Sequence, residues 1–474
     1  MSVPPFNGAR GGGSGDGRPA SGWAGGGPRI DGDWLRWAMD RMAEMVDPAR
    51  PLYTRRSFTD VYRRAREWLA EQFEEAGLMV TMDAAANLSG RLEGTRPGAP
   101  AIVLGSHTDS VPAGGRFDGT LGVMAALAVA RALRDGGVRL AHPLEIVDFL
   151  AEEPSDYGVS CVGSRAMAGA LTQAMLDARN PAGETLAEGI RRMGGRPEHI
   201  AEGRPLRDPA ELAAFMELHI EQGPVLEAED VPVGVVTGIV GIRRSDVRFV
   251  GRADHAGTMP MDRRRDALVG AAEFIALTHE LARRYAGAGG SGTWPGAGPA
   301  ANGPERLPAP AGGGAGFVAT VGQVHVHPNA SNVVPGRADL VLEVRSLDVD
   351  DIRRFEAELL AAAGRAAEAR GLRLEVEALT EAAPTPCAPL IVDTFREAVA
   401  RRGYRVIELA SGAGHDAAQM ARLCPSGMLF VCCKDGASHH PDEWVAPEDM
   451  VAGAEVFLEA VLELDGRLAA AVRP

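Results

Sequence analysis

The sequence is poor in lysine and has no long apolar run. A single lysine, Lys434, accompanies 48 arginines, and 64 acidic residues leave a formal net charge of −15. Nucleic-acid binding needs a basic face for the phosphates, so this acidic excess argues against that class of protein. No segment reaches the roughly 18 consecutive apolar residues that a membrane-spanning helix needs.

Cysteine is also scarce, and its spacing contains no Cys-x-x-Cys pair. The five cysteines are Cys161, Cys387, Cys424, Cys432 and Cys433. An odd number with this spacing argues against a disulfide framework and against a cysteine-ligated zinc site. The N-terminus lacks the basic start and apolar run of a signal peptide. We therefore expect a protein of the reducing cytoplasm.

Two glycine-rich stretches with few aliphatic residues interrupt the 474-residue chain. Residues 1–28 contain ten glycines and residues 286–316 contain eleven. Such composition buries too little apolar surface to offset the entropy of ordering the chain. We predict a disordered tail at 1–28 and a flexible insertion at 286–316.

Between these stretches, predicted strands alternate with predicted helices. Residues 101–110 and 142–156 are each typical of a strand followed by a loop, and residues 121–137 are typical of a buried helix. This alternation predicts an α/β fold with a mostly parallel sheet covered on both faces. From about residue 237 the pattern becomes strand, helix, strand and strand. We predict that a small α+β domain is inserted there.

Histidines and carboxylates stand where the predicted strands end. They are His107, Asp109, Asp118, Glu152, Glu153, His219 and His439. Imidazole and carboxylate ligands suit zinc, manganese, cobalt or nickel, and two such ions together can activate water and polarise a carbonyl. A carboxylate that is not a ligand can transfer the proton. Because a single His-x-Asp or Glu-Glu pair is more often a surface or capping feature, the residues alone leave a structural role open.

Seven segments carry a family resemblance when they are taken together. They are GSHTDSVPAGGRFDGTLGV, AEEPSDYGVSCVGS, ELHIEQGPVLE, GRADHAGTMPMDRRRDA, PNASNVVPG, SGAGHDA and GASHHPDEW. With these segments the chain resembles the N-carbamoyl-L-amino-acid hydrolase and allantoate amidohydrolase family, a branch of the two-metal, aminoacylase-like hydrolases and peptidases. The resemblance runs from about 33 to 465, apart from 286–316.

The resemblance implies a homodimer in which the inserted domain is a lid and dimerisation domain. We place this domain at 237–351 and the catalytic domain at 29–236 and 352–474. The resemblance also implies two divalent ions. Their ligands would be His107, Asp118 as the bridge, Glu153, His219 and His439. Glu152 matches the general base, and Asp109 is expected to orient the ring of His107.

The same resemblance implies a set of substrate-side residues. His255 matches a histidine that reaches the active site of the partner subunit and stabilises the oxyanion. Asn332 and Arg345 match residues that bind the substrate carboxylate, and Gln222 matches a contact to its ureido or amide end. His415 matches a position at the edge of the site, in contact with substrate or with a ligand.

The implied activity is hydrolysis of the carbamoyl C–N bond of N-carbamoyl-L-amino acids, giving the amino acid, carbon dioxide and ammonia. Three alternatives stay open: an allantoate or other ureide hydrolase, an N-acyl amino acid deacylase or peptidase, and a non-catalytic binder of amino acids. Asp156 and Tyr157 depart from the Arg-Phe pair often found after Glu-Glu in the family. This departure concerns the substrate side of the site rather than the metal ligands.

Overall fold

The computed structural model describes residues 27–50, 52–287 and 316–471. The predicted tail at 1–28 and insertion at 286–316 lie almost wholly outside the described residues. None of the described helices is long and apolar enough to cross a lipid bilayer.

The helices are α1 (Gly32–Glu44), α2 (Asp60–Glu75), α3 (Thr120–Asp135), α4 (Val162–Met167), α5 (Gln173–Leu176), α6 (Leu186–Arg192), α7 (Val225–Ala228), α8 (Ala267–Tyr285), α9 (Val349–Ala369), α10 (Pro389–Arg401), α11 (Asp416–Met420) and α12 (Pro447–Ala471). Short 3₁₀ turns occupy Pro197–His199, Pro209–Glu211, Met261–Arg263 and Lys434–Gly436.

The strands are β1 (Met79–Met82), β2 (Leu88–Leu92), β3 (Ala101–His107), β4 (Leu144–Phe149), β5 (Leu212–Ile220), β6 (Val233–Ile239), β7 (Gly241–Val250), β8 (Asp254–His255), β9 (Val318–His327), β10 (Val333–Val334), β11 (Arg337–Ser346), β12 (Arg373–Ala382), β13 (Thr385–Pro386), β14 (Glu408–Ser411) and β15 (Ser426–Val431).

The main sheet has nine strands in the order β1-β2-β4-β3-β5-β15-β6-β13, with β14 beside β6. Its centre, β4-β3-β5-β15, is parallel throughout. Every residue of β3 and β4 is buried, as expected for strands covered on both faces. The predicted α/β class with a mostly parallel sheet is confirmed.

The parallel centre also determines where the polar residues gather. His107 is the last residue of β3, His219 is the last but one of β5, and Glu152 follows the end of β4 by three residues. Because these strands are parallel neighbours, their carboxyl ends meet at one edge of the sheet. Asp118 lies at the same edge, two residues before the start of α3.

The inserted unit is a four-stranded antiparallel sheet in the order β12-β7-β11-β9, with its own apolar core. Helices α8 and α9 contribute Phe274, Phe355 and Leu359 to that core, and all three are buried. The outer face of the sheet is polar, so the sheet is buried on one side only.

The predicted end of this unit at residue 351 falls inside α9. Strand β12 pairs with β7 from Arg373 to Ala382, so the chain leaves the unit only after Ala382. We therefore propose a boundary near residue 383. The difference has a simple cause: α9 is an amphipathic helix like those of the catalytic domain, and β12 is largely exposed with weak apolar alternation.

Candidate active site

Four of the predicted ligands come together around the fifth, Asp118. Its Oδ1 lies 3.4 Å from His107 Nε2 and 3.3 Å from His219 Nε2. Its Oδ2 lies 3.5 Å from His439 Nε2, and that nitrogen lies 3.3 Å from Glu153 Oε1. One carboxylate therefore stands between two groups of potential ligand atoms, each group compact enough to share an ion.

The separations fit divalent metal ions. Ligand atoms about 2.0–2.1 Å from a tetrahedral zinc ion lie about 3.3 Å from one another. Glu153 Oε1 is buried and has no hydrogen-bond donor among the described residues. A buried carboxylate oxygen without a partner is unfavourable, and a cation would satisfy it. The donor set and its spacing thus suit a pair of ions bridged by Asp118.

The buried histidines present the correct nitrogen to this cluster. The Nδ1 of His107 lies 3.1 Å from the backbone oxygen of Asp109, and the Nδ1 of His219 lies 2.9 Å from that of Ile220. A backbone carbonyl can only accept, so Nδ1 carries the proton and Nε2 keeps its lone pair for a metal. The carboxylate Oδ1 of Asp109 is more distant, 3.5 Å from His107 Nδ1.

Gly119 leaves the space that the His107 ring occupies. Its φ of +60° is a conformation that side chains rarely adopt, and a Cβ there would lie 2.3 Å from His107 Nε2. Its N–H also donates to His219 Nε2 at 3.2 Å. A glycine is therefore required directly after Asp118 for the His107 ring to reach it.

The electrostatics of the cluster favour bound positive charge. Burial opposes the charged form of His107, but hydrogen bonds to Asp109 and Asp118 raise its pKa well above the ordinary value. The nearby carboxylates of Asp118 and Glu153 raise the pKa of His439 to about 10. Metal ions would take the place of these protons, because a histidine must be neutral to bind a metal.

Glu152 faces the cluster without belonging to either ligand group. Its Oε2 lies 3.7 Å from His107 Nε2, and its Oε1 accepts the Cys161 thiol at 3.3 Å. Burial raises the pKa of Glu152 well above the ordinary value for a glutamate. A raised pKa suits a group that accepts and returns a proton near neutral pH. The Cys161 contact was not predicted, because it depends on the turn into α4.

Gln222 and Ser438 bind the outer oxygen of Asp118. The Gln222 side-chain N–H group donates to Asp118 Oδ2 at 2.7 Å and to Ser438 Oγ at 3.1 Å. The Ser438 hydroxyl donates to the same Oδ2 at 2.7 Å. Gln222 thus lies at the cluster, with its own Oε1 buried and without a donor among the described residues. Ser438 was not predicted, although it directly precedes His439.

His415 lies behind the cluster. Its ring is buried with its centre 4.5 Å from the ring centre of His219, and its Nε2 lies 2.7 Å from Ser411 Oγ. Burial lowers the pKa of His415 well below the ordinary value, so the ring is neutral. The ring packs against His219, which is a predicted metal ligand. Of the two expected arrangements, contact with substrate or with a ligand, the structure has the second.

Among the substrate-side residues of the inserted unit, His255 and Asn332 lie on paired segments, Arg345 lies on another strand, and none of the three is bonded to the cluster in the described part of the chain. Strands β8 and β10 pair His255 with Val333, which places Asn332 beside that ribbon. Both side chains are exposed. Arg345 on β11 donates to Glu343 at 2.7 Å and to the backbone oxygen of Gly412 at 2.5 Å. Within the described ranges, no hydrogen bond or ion pair links these three residues to Asp118.

Asp156 and Tyr157, which replace the Arg-Phe pair often found in the family, both form side-chain contacts within the protein. Arg56 forms an ion pair with Asp156 at 2.6 Å and donates to the backbone oxygen of Pro154 at 2.8 Å. The Tyr157 hydroxyl donates to Glu184 at 2.5 Å. These contacts fix the loop that follows Glu153.

The chain is similar to known proteins over most of its length. Residues 103–463 match the model of "Peptidase family M20/M25/M40". The chain is 40% identical over 435 residues to an N-carbamoyl-L-amino acid amidohydrolase of Geobacillus stearothermophilus, covering 92% of this chain and 99% of that one. It is 32% identical over 466 residues to a ureidoglycolate hydrolase of Oryza sativa subsp. japonica, covering 97% and 88%. A solved amidase of the hydantoinase/carbamoylase family from Burkholderia multivorans has a TM-score of 0.80 at 36% identity, covering 92% and 98%.

Proposed function

The chain belongs to peptidase family M20/M25/M40, and on that premise we propose that it hydrolyses the carbamoyl C–N bond of N-carbamoyl-L-amino acids. The observation that carries the proposal is the near end-to-end similarity to a protein of that name, together with a complete set of site residues. The products would be the L-amino acid, carbon dioxide and ammonia.

The first part of the site would hold two divalent ions. His107 and His219 would bind one ion, Glu153 and His439 the other, and Asp118 would bridge them. Such ions supply Lewis acidity and lower the pKa of a water molecule. Zinc, manganese, cobalt and nickel all suit these nitrogen and oxygen donors.

Glu152 would move the proton of the reaction. The oxygen of water forms a bond to the carbamoyl carbon, and Glu152 accepts the proton that this water loses. The carboxyl group then donates that proton to the leaving nitrogen as one C–N bond breaks. The carbamate that results then loses carbon dioxide, which breaks the second C–N bond and frees the other nitrogen, so that the amino acid and ammonia are both released. The position of Glu152 supports this role. Its Oε2 faces the cluster, while its Oε1 accepts a hydrogen bond from the Cys161 thiol.

The inserted unit would supply the remaining contacts. His255 accepts the Gly257 N–H on Nδ1 at 3.0 Å, so its proton resides on Nε2 and can be donated outward. Such a donor suits the oxyanion of the tetrahedral intermediate. Arg345 and Asn332 would bind the substrate carboxylate, with Gln222 near the ureido end and His415 in contact with His219. Closure of the unit would bring Arg345 and Asn332 onto the carboxylate.

We further propose that a second copy of the chain covers one side of the inserted unit. Leu268, Val269 and Ile275 of α8 and Val318 and Val324 of β9 are exposed. Helix α8 packs against β9, and β9 is an edge strand of its sheet. An edge strand with adjacent apolar surface is a favourable site for pairing with another chain. His255 would then reach the active site of the partner subunit.

We assign the protein to a reducing compartment such as the cytoplasm. All five cysteines are buried and unpaired, and burial raises the pKa of each thiol. This state suits a compartment without disulfide formation.

The test is ammonia release from a panel of substrates, using protein stripped of metal and then loaded with zinc, manganese, cobalt or nickel. N-carbamoyl-L-amino acids should be hydrolysed only after loading. Equal rates with and without a chelator would contradict the metal-dependent mechanism. Binding of these compounds without turnover under every condition would indicate a non-catalytic binder.

Ureide hydrolysis is the second candidate, because relatives named ureidoglycolate hydrolase and probable allantoate deiminase are also similar to the chain. The same panel includes allantoate and ureidoglycolate. Turnover of either compound far above that of every carbamoyl amino acid would displace the first proposal. An N-acyl amino acid and a dipeptide serve to detect deacylase or peptidase activity, and for these two the release of free amino acid is measured because neither yields ammonia.

A further inference from the structure

One buried carboxylate near the site has no part in the chemistry described so far. Glu443 follows His439 by four residues and is 1% exposed. Its Oε1 accepts the backbone N–H of Phe117 at 2.7 Å and that of Asp118 at 3.0 Å. These two hydrogen bonds join segments more than 320 residues apart in sequence.

The surroundings of Glu443 are shaped for its carboxylate. Gly115 has a φ of +99°, and a Cβ there would lie 2.4 Å from the Glu443 carboxyl carbon. The ring of Trp444 packs edge-on against Phe117 with ring centres 5.8 Å apart. The turn before Asp118 and the turn after His439 are thus packed against each other at consecutive positions.

We propose that Glu443 is a positioning residue, which fixes the backbone of Asp118 relative to His439 so that the bridging carboxylate spans both ligand groups. The inference rests on the proposed two-metal site. Residues that orient metal ligands typically contribute about 10–100-fold to metal affinity. Glu443 would act on both ions at once, because each of them would share Asp118.

The chain offers a matched control for a purely structural role. The Asp465 carboxylate also accepts two consecutive backbone N–H groups, those of Ala141 and His142, both at 2.9 Å. These residues precede β4, at the end of the sheet opposite to the cluster. Asp465→Ala removes a similar pair of long-range hydrogen bonds to the backbone, and it changes no contact of a predicted ligand.

The first measurement is amide hydrogen exchange on metal-free protein. Glu443→Ala should accelerate exchange of the Phe117 and Asp118 amides about tenfold or more, because their acceptor is lost. Glu443→Gln keeps an acceptor oxygen at that position and should retain most of the protection. Asp465→Ala should accelerate exchange only at Ala141 and His142.

The second measurement is calorimetric titration of the same proteins with Mn²⁺ and with Zn²⁺. Glu443→Ala should bind both equivalents about 10–100-fold more weakly, with Glu443→Gln close to wild type and Asp465→Ala unchanged. Should Glu443→Ala fail to fold, Glu443→Asp replaces it, since a side chain one methylene shorter cannot reach both N–H groups.

Wild-type exchange at Phe117 and Asp118 in Glu443→Ala, or wild-type metal affinity in that variant, would overturn the positioning role. A wild-type protein that binds no metal would instead contradict the proposed function. In that case the exchange measurement on metal-free protein still decides whether Glu443 fixes this backbone.

Discussion

At the carboxyl ends of the main sheet, His107, Asp118 and His219 are buried and held by backbone hydrogen bonds. In the inserted unit, His255 and Asn332 are exposed and have no contact of this kind with the cluster. The fold fixes the groups that must hold ions at close distances. It leaves exposed the groups that must admit a substrate before they enclose it.

The largest expected effect on turnover comes from Glu152, the proposed proton-transfer residue at the edge of the main sheet. Glu152→Gln keeps the size of the side chain and removes its proton-accepting oxygen, so turnover should fall about 10²–10⁴-fold. Metal content should stay at the wild-type value, because neither ligand group includes Glu152. The measurement is kcat on the best substrate, with metal content by elemental analysis. Unchanged turnover would show that Glu152 does not transfer the proton.

His255→Ala tests the role of an exposed residue of the inserted unit. Loss of one donor to the oxyanion should lower kcat about 10²–10³-fold. The melting temperature should stay within about 1 °C, because exposed side chains contribute little to stability. Exposed His325 on β9 provides a control, and His325→Ala should retain full activity. A large loss of stability in His255→Ala would mean that the residue is structural.

Arg345→Lys should act mainly on substrate binding. Lysine keeps the charge but loses the planar pair of donors, so KM should rise about tenfold with a smaller change in kcat. Arg244 lies on the same outer face and pairs with Glu343 at 2.6 Å, so Arg244→Lys is the matched control. Equal KM values for the two variants would remove Arg345 from the carboxylate site.

The smallest effect on the fold is expected from Val324→Lys on the edge strand β9. The change should alter the stability of one chain by less than about 0.5 kcal/mol, because the residue is exposed. If the proposed dimer forms through β9, the change should nevertheless give a monomer in light scattering, since a lysine would meet its copy in the partner chain. Val376→Lys, on the opposite edge strand β12, should remain dimeric. The reverse outcome would place the interface at β12.

The sequence could place His107 and His219 together because both stand at the ends of strands in a parallel sheet, and such ends converge at one edge. Asp118, Glu153 and His439 lie in loops beyond the strands, and only the family resemblance indicated them; the role of all five as metal ligands stays a prediction. The sequence could not predict Glu443, Ser438 or Cys161 as neighbours of the ligands. Their contacts depend on how turns far apart in sequence pack against each other, and a single glutamate or serine carries no periodic signal. The later boundary proposed for the inserted unit has a related cause, since β12 is recognisable only by its pairing with β7.

The two regions are proposed to meet across a dimer, and mixing two inactive variants tests this most directly. Glu152→Gln and His255→Ala are mixed after reversible dissociation, and hydrolysis is compared with that of each variant alone. If His255 acts on the partner subunit, each hybrid dimer contains one intact site, and random mixing restores about a quarter of wild-type activity. If His255 acted within its own chain, every site would carry one defect, and the mixture would be no more active than the variants alone.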